Sequence, residues 1–305
     1  TKVSTDVKID LKINNDLVGE YNDQKGTNYK LLPEGSYELS ATNTTIESGQ
    51  YSSKPVLLRI KSIDQFKDED TYCVPITITN VEGAYPVLES SRTMYVVVNR
   101  AIITKAAVLN GRYFSVDFKS DPGRDLSNVP QLTMETRVYV NKFQPNNPKI
   151  STLMGLEENF LLRFGDVKIE PNILQLAGGG YPVSSTENFS AEKWYHIAAT
   201  YDGKRICLYI NGKLNAYTEA PRGGINLLGI DDTRPFFIGI TMKSDRRPLN
   251  GHISETRIWT RALSEAEIAN SMCAVSPDSP DLLAYWKFNS YKNEDNKNVV
   301  VDLTG

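Results

Sequence analysis

Histidine is the scarcest reactive residue in this chain, with His196 and His252 the two present among 305 residues. General acid–base work then falls to carboxylates, which must come in pairs to do both halves of a proton transfer. The nearest approach to a pair is Ile253-Ser254-Glu255-Thr256-Arg257, one acid followed by an arginine. Glu255 reads there as half of a structural ion pair or as a hydrogen-bonded edge residue. No Gly-x-Ser-x-Gly nucleophile turn occurs. Ala177-Gly178-Gly179-Gly180-Tyr181 has the glycines of a phosphate loop without a following Lys-Ser/Thr or helix pattern, so it reads as a mobile turn. Lys243, Arg246 and Arg247 form a small basic loop that reads as solvated surface. Cys73, Cys207 and Cys273 lack any CxxC zinc spacing, and Cys207 and Cys273 read as small buried apolar residues.

The elements that must position these groups are strands. Asp202-Gly203 and Asn211-Gly212 mark type I′ hairpin turns. They flank Arg205 to Ile210, whose Ile206, Leu208 and Ile210 share a face by the period of two. Segments 1–13, 56–63, 74–79 and 93–99 alternate similarly, with one short helix over 16–22. Further strands fall at 106–118, 131–140, 150–154, 160–169, 173–177, 194–201, 235–241 and 251–259. A helix over 264–272 carries a capping box, Ser264 with Glu267, and a staple of Leu263 on Ile268. Residues 293–298 read as a polar loop, and 100–105 as a short joint between domains that pack together. The chain divides into 1–100 and 101–305, both all-β.

Composition narrows the partners. A net charge of −3 gives neither a nucleic-acid footprint nor a polybasic membrane patch. No apolar run approaches the roughly 20 residues that span a bilayer. The opening Thr1-Lys2-Val3-Ser4 reads as the start of a mature or trimmed chain.

Several motifs come in a telling order. AVLNGRYFSV (107–116), LTMETRVYV (132–140), WYHIAATYDGKRICLYINGK (194–213), FFIG (236–239), LNGHISETRIWTRALSEAEI (249–268) and LLAYWKFN (282–289) resemble the laminin-G/pentraxin-like branch of the concanavalin A-like jelly rolls. DLVGEYNDQKGTNYKLLPEGSYEL (16–39), TIESGQYSS (45–53) and YCVPITIT (72–79) resemble the N-terminal β-sandwich domain of unknown function of Bacteroides-type surface proteins. The resemblances imply an immunoglobulin-like β-sandwich followed by a concanavalin A-like jelly roll. They also imply export to the cell surface, outer membrane or periplasm, with a lipid anchor outside this chain as the one link to a membrane.

The fold also hosts glucanases, whose Glu-x-Asp-x-x-Glu strand is absent here. The favoured function is therefore a non-catalytic binding or adhesion protein whose ligand is a carbohydrate or a cell-surface protein. A structural or protein-docking module and a glycoside hydrolase stand as alternatives. The three tryptophans read as parts of the scaffold, Trp194 as a core plug with His196 on its strand face and Trp259 and Trp286 at family landmark positions. Glycan stacking then falls to Tyr181, with Phe143 and Tyr217 behind it and Asn172 and Gln175 as polar partners; the competing reading of Tyr181 is a loop anchor folded back over the sheet edge. Related jelly rolls hold Ca²⁺ through a terminal Asp-x-Thr-Gly, which Asp302-Leu303-Thr304-Gly305 matches, with Asn110 opposite. A simple turn is the other reading of that motif.

Overall fold

The computed structural model describes residues 2–99, 105–118, 123–295 and 297–304. The joint read over 100–105 lies outside them except for Lys105, as does Gly305 of the terminal motif. The chain forms two compact units, Thr1–Ile102 and Ile103–Gly305.

The first unit contains β1 (Val7–Ile13), α1 (Leu17–Lys25), β2 (Tyr37–Leu39), β3 (Asn43–Ile46), β4 (Leu58–Ile60), β5 (Thr71–Glu82) and β6 (Thr93–Asn99). A four-stranded sheet runs β3-β1-β5-β6, and β2 pairs with β4 beside it. Alternation along β5 places Tyr72 and Val74 in its core beside Leu32 and Phe66 from the connecting segments, with Ile13, Tyr37, Leu58 and Val96 packed against them. The helix ends where Gly26 adopts φ +64°, the left-handed cap that a residue with a Cβ disfavours. It runs three residues past the sequence expectation.

The second unit comprises β7 (Ala107–Val108), β8 (Phe114–Val116), β9 (Leu132–Val140), β10 (Ser151–Leu156), β11 (Phe160–Asp166), β12 (Ile169–Ala177), β13 (Val183–Ser184), β14 (Trp194–Tyr201), β15 (Arg205–Ile210), β16 (Lys213–Glu219), β17 (Phe236–Ile238), β18 (Gly251–Trp259), α2 (Glu265–Ser271), β19 (Leu282–Trp286), β20 (Tyr291–Glu294) and β21 (Lys297–Val300). A six-stranded sheet, β13-β12-β11-β10-β17-β8, faces a seven-stranded one, β16-β15-β14-β9-β18-β19 with β7 also on β18. Both inner faces meet in one core that includes Leu162, Phe164, Leu174, Ile197, Ile206, Leu208, Ile238, Ile253 and Trp286. The arrangement is all-β with two packed sheets, the jelly roll anticipated from the motifs.

Local chemistry explains where the structure follows the sequence pattern and where it departs. Asn211 and Gly212 have φ of +50° and +79°, the two positive values a type I′ turn requires. Asp202-Gly203 is different: the loop runs from 202 to 204, and the Asp202 carboxylate accepts from Lys204 N and Arg205 N at 2.8 and 2.7 Å. An aspartate that caps its own loop makes a third loop residue acceptable. Asn293 and Glu294 pair with Asn298 and Lys297 across the β20–β21 hairpin, where the sequence reads as a polar loop. Cys273 is exposed, because α2 has already ended at Ser271; Cys207 is buried as anticipated.

The glycine run also has a packing role. A Cβ at Gly178 would lie 2.7 Å from the Asn159 backbone, so these glycines let the β12–β13 turn sit directly on the β11 hairpin.

Candidate functional site

Exposed rings and polar side chains come together around the turn after β7. Leu109 is buried and pins that turn, Gly111 adopts φ +73°, and Arg112 N–H closes it on Leu109 O at 2.8 Å. Two cavities flank the turn, and Gly111 lines both.

The larger, about 550 Å³, lies between the turn and the β20–β21 hairpin. Tyr113 and Tyr291 stand on its walls, with Arg112, Arg246 and Asn298 beside them. Phe114 and Phe288, with ring centroids 4.9 Å apart, also line it. Tyr291 is 67% exposed. Arg246 donates from Nη2 to Gly111 O at 2.6 Å and lays its guanidinium 5.1 Å from the Tyr113 ring centroid. The basic loop is therefore more than solvated surface. Arg246 builds a cavity wall, while Arg247 pairs with Asp245 at 2.5 Å and with Glu157 at 3.4 Å.

The smaller cavity, about 400 Å³, is rich in amides: Asn110, Gln144, Asn146 and Asn250 line it with Phe143 and Lys142. Asn141 donates to the Asn110 and Asn250 side chains at 3.3 and 3.1 Å, which joins the loops that form it. Among the described residues, no Asp, Glu, His or Cys lines either cavity. A third cavity across the hairpin, about 570 Å³, is charged and includes Asp117, Glu294 and Asp302 with Lys292 and Lys297.

Of the residues singled out in the sequence, Phe143 and Asn110 meet in the smaller cavity. Phe143 also packs edge-on against Phe164, with centroids 5.1 Å apart. Tyr181 is half-buried against the core with its hydroxyl 3.5 Å from Pro221 O, the position of a loop anchor. Asn172 donates to Phe189 O at 3.2 Å. Gln175 is buried, accepts from Arg163 at 2.9 Å and donates to Ser184 Oγ. Both amides are spent inside the sheet. Tyr217 is 58% exposed on β16, far along the sheet order from the cavities, with Arg205 over its ring at 6.0 Å.

Asp302 closes a turn. Its Oδ1 accepts from Tyr285 N at 2.9 Å, Thr304 N at 3.0 Å and Thr304 Oγ1 at 3.0 Å. Asn110 follows Leu109, whose N–H bonds Gly251 O, whereas Tyr285 pairs with Arg257 six residues along β18. At about 3.3 Å per strand residue that is a separation near 20 Å. The two residues named for calcium do not share a site, so the fit fails on geometry. Among the described residues, no three His, Cys, Asp or Glu side chains group as metal ligands.

The densest set of titratable groups lies elsewhere, sealed beneath α2. Arg257 donates from Nη1 to Glu135 at 3.1 Å and to Ser271 O at 2.8 Å, and from Nη2 to Glu255 at 3.1 Å. Trp259 Nε1 donates to Glu135 at 2.9 Å, His196 Nε2 lies 3.1 Å from it, and the Tyr285 hydroxyl bonds Glu255. Glu135, Glu255 and Arg257 are wholly buried. Burial works to raise the Glu135 pKa, but the Arg257 charge and the His196 and Trp259 hydrogen bonds overcome it and hold the carboxyl at about 2. Glu255 takes the ion-pair role read from the sequence, at φ +50° where the β18–β9 register shifts.

Sequence reasoning missed Tyr113, Tyr291 and Trp194. Trp194 is not a core plug: β14 turns it to the outer face, where it is 39% exposed. The signal lay in Ile197 and Ala199, whose inward parity forces 194 and 196 outward. Tyr291 begins β20, a strand that the reading of 293–298 as a polar loop leaves unseen.

Known proteins share this architecture. Residues 1–84 match the model of an N-terminal domain family, and 111–269 match that of the concanavalin A-like lectin/glucanases superfamily. A crystal structure from Bacteroides ovatus, of a protein to which carbohydrate binding has been ascribed, is 28% identical with a TM-score of 0.68. The match covers 100% of this chain and 85% of that one. A heptameric SAP-like pentraxin from Limulus polyphemus shares 16% identity and a TM-score of 0.41 over 62% of this chain and 94% of that one. Human adhesion G protein-coupled receptor D2 is 33% identical over 31% of this chain. The chain spans 10% of that receptor's length and 5% of mouse pappalysin-1, a second relative at 28% identity over 30% of this chain. With the family model spanning more than half of its residues, and two packed sheets to match, the chain belongs to the concanavalin A-like lectin/glucanases superfamily.

Proposed function

We propose that this protein is a non-catalytic carbohydrate-binding protein, and that its glycan lies in the cleft between the Asn110-Gly111 turn and the β20–β21 hairpin. The observation that carries the reading is the pair of tyrosines, Tyr113 and Tyr291, on the walls of a 550 Å³ cleft beside Arg112, Arg246 and Asn298. Sugar rings offer apolar C–H faces with hydroxyls at the rim, and rings flanked by fixed donors complement both. The amide-rich cavity on the other side of Gly111 gives a longer saccharide further hydroxyl partners. The Bacteroides ovatus neighbour, similar over the whole chain, supports the same reading.

Glycoside hydrolysis needs two carboxylates that reach the scissile bond. Among the described residues, the two cavities at the turn offer none, and the buried acids Glu135 and Glu255 are held by Arg257 without access to solvent. Display at the cell surface for adhesion is part of the proposal, supported by the resemblance of the first domain to those of exported surface proteins.

A glycan array tests the reading, followed by Tyr291→Ala against the best glycan. Affinity should fall at least tenfold with the melting temperature unchanged, and aryl glycosides should not be cleaved. Binding that survives both Tyr291→Ala and Tyr113→Ala would overturn the site. An array without any retained glycan would overturn the function.

A further inference from the structure

Beyond the cleft, three rings stand in one row across the outer face of the seven-stranded sheet. Trp194 is directly opposite Tyr139, and Tyr139 is directly opposite His252. Their centroids are 5.6 and 5.5 Å apart. Residues opposite one another across strands share a face. Val108, opposite His252 and 46% exposed, carries the row to the rim of the larger cleft. Three steps at a strand spacing of about 4.8 Å make a platform roughly 14 Å long.

One cation is set over this platform. Arg137 lies two residues from Tyr139 on β9, so it shares the outer face, and its guanidinium is 5.7 Å from the Trp194 ring centroid. Among the described residues its guanidinium makes no hydrogen bond and no ion pair. Arg257, on the neighbouring strand, has both terminal nitrogens engaged by carboxylates. The planar fork of a guanidinium matches a carboxylate with two parallel hydrogen bonds. An indole face beside it offers stacking to an apolar sugar face.

We propose that Trp194, Tyr139 and Arg137 form a second glycan site, selective for saccharides that carry a uronate. The uronate ring stacks on Trp194, its carboxylate sits in the Arg137 fork, and the chain continues over Tyr139 and His252. The inference rests on the carbohydrate-binding reading above, but it shares with the cleft only Val108 at the rim.

Calorimetry on the full chain tests it with galacturonate and glucuronate oligosaccharides, each beside its neutral carboxyl-reduced counterpart. At least one uronate should bind tenfold or more tighter than its reduced form, with the preference shrinking as salt rises. Arg137→Gln should abolish the preference, and Trp194→Ala should lower the affinity for that uronate at least tenfold. Tyr291→Ala should leave it unchanged. Equal affinity for acid and reduced forms, or a preference that survives Arg137→Gln, overturns the inference. If both uronates fail while an array glycan still binds through Tyr291, this site falls and the cleft stands. If no glycan binds at all, both fall together.

Discussion

His196 and Trp194 are two residues apart on one strand and point to the same side of the sheet, yet they are 4% and 39% exposed. The difference is what lies above them. Over the His196 end, α2 and the segments on either side of it bring Leu263, Ile268 and Val275 onto Ala198, Cys207, Tyr209, Trp259 and Tyr285. The helix is fastened at both ends, by the Ser264–Glu267 capping box and by Arg257 on Ser271 O. Gly212 lets the β15–β16 turn fit beneath it, since a Cβ there would lie 2.9 Å from Ala269 Cα. Among the described residues, no such cover reaches Trp194. Under the helix Arg257 commits both terminal nitrogens, to Glu135, Glu255 and Ser271 O, whereas the Arg137 guanidinium at the bare end has no hydrogen-bond partner among the described residues. One face is thus covered at one end and open at the other.

The sharpest way to break this contrast is to remove the buried cation. Arg257→Ala leaves Glu135 and Glu255 buried without a counter-charge and should cost about 3–5 kcal/mol. Denaturant unfolding reads the loss, and a change below about 1 kcal/mol would show that the network adds little. Acid should act on the same network. The Glu135 pKa in the fold, about 2, is below the roughly 4.3 of an unfolded chain. Its contribution is then complete above that unfolded value and is lost as pH falls towards 2, an effect on the order of 3 kcal/mol. Unfolding free energies measured across that window should decline, and the slope should flatten in Glu135→Gln.

Loosening the cover is a milder intervention. Ser264→Ala removes the cap that accepts from Glu267 N and should cost about 1 kcal/mol. Hydrogen exchange at residues 265–271 should rise with it, while exchange on β9 near Tyr139 stays as it was.

Legibility in the sequence follows the same divide between local and remote contacts. The capping box, the Asn211-Gly212 turn and the inward Ile206, Leu208 and Ile210 are local patterns, fixed by residues within a few positions of one another. The cleft is not local: Tyr113 and Tyr291 are remote in sequence and meet because β20–β21 folds back beside β8. Alternation sets Trp194 on the face opposite Ile197 and Ala199, but the bulk of an indole outweighs that local signal and 194 reads as inward. The pairing of Asp302 with Asn110 departs from the fold for a related reason, because the motif at Asp302 specifies a turn whatever lies opposite it. Glu135, inside an apolar-looking strand, carries no mark that an arginine 122 residues away claims it.

The smallest expected effect is the one that separates the two ends most cleanly. Trp194→Ala removes a large ring, and in a core that substitution costs about 3–5 kcal/mol. Here the ring rests on Tyr139 and beneath Arg137 with solvent on its open side, so the loss should stay within about 1 kcal/mol. The melting temperature should move by only a few degrees, far less than in Arg257→Ala. A large drop would mean that Trp194 pins the β9–β14 pairing, and the row would then belong to the scaffold. A small drop together with lost uronate binding would leave an exposed tryptophan whose purpose is its open face.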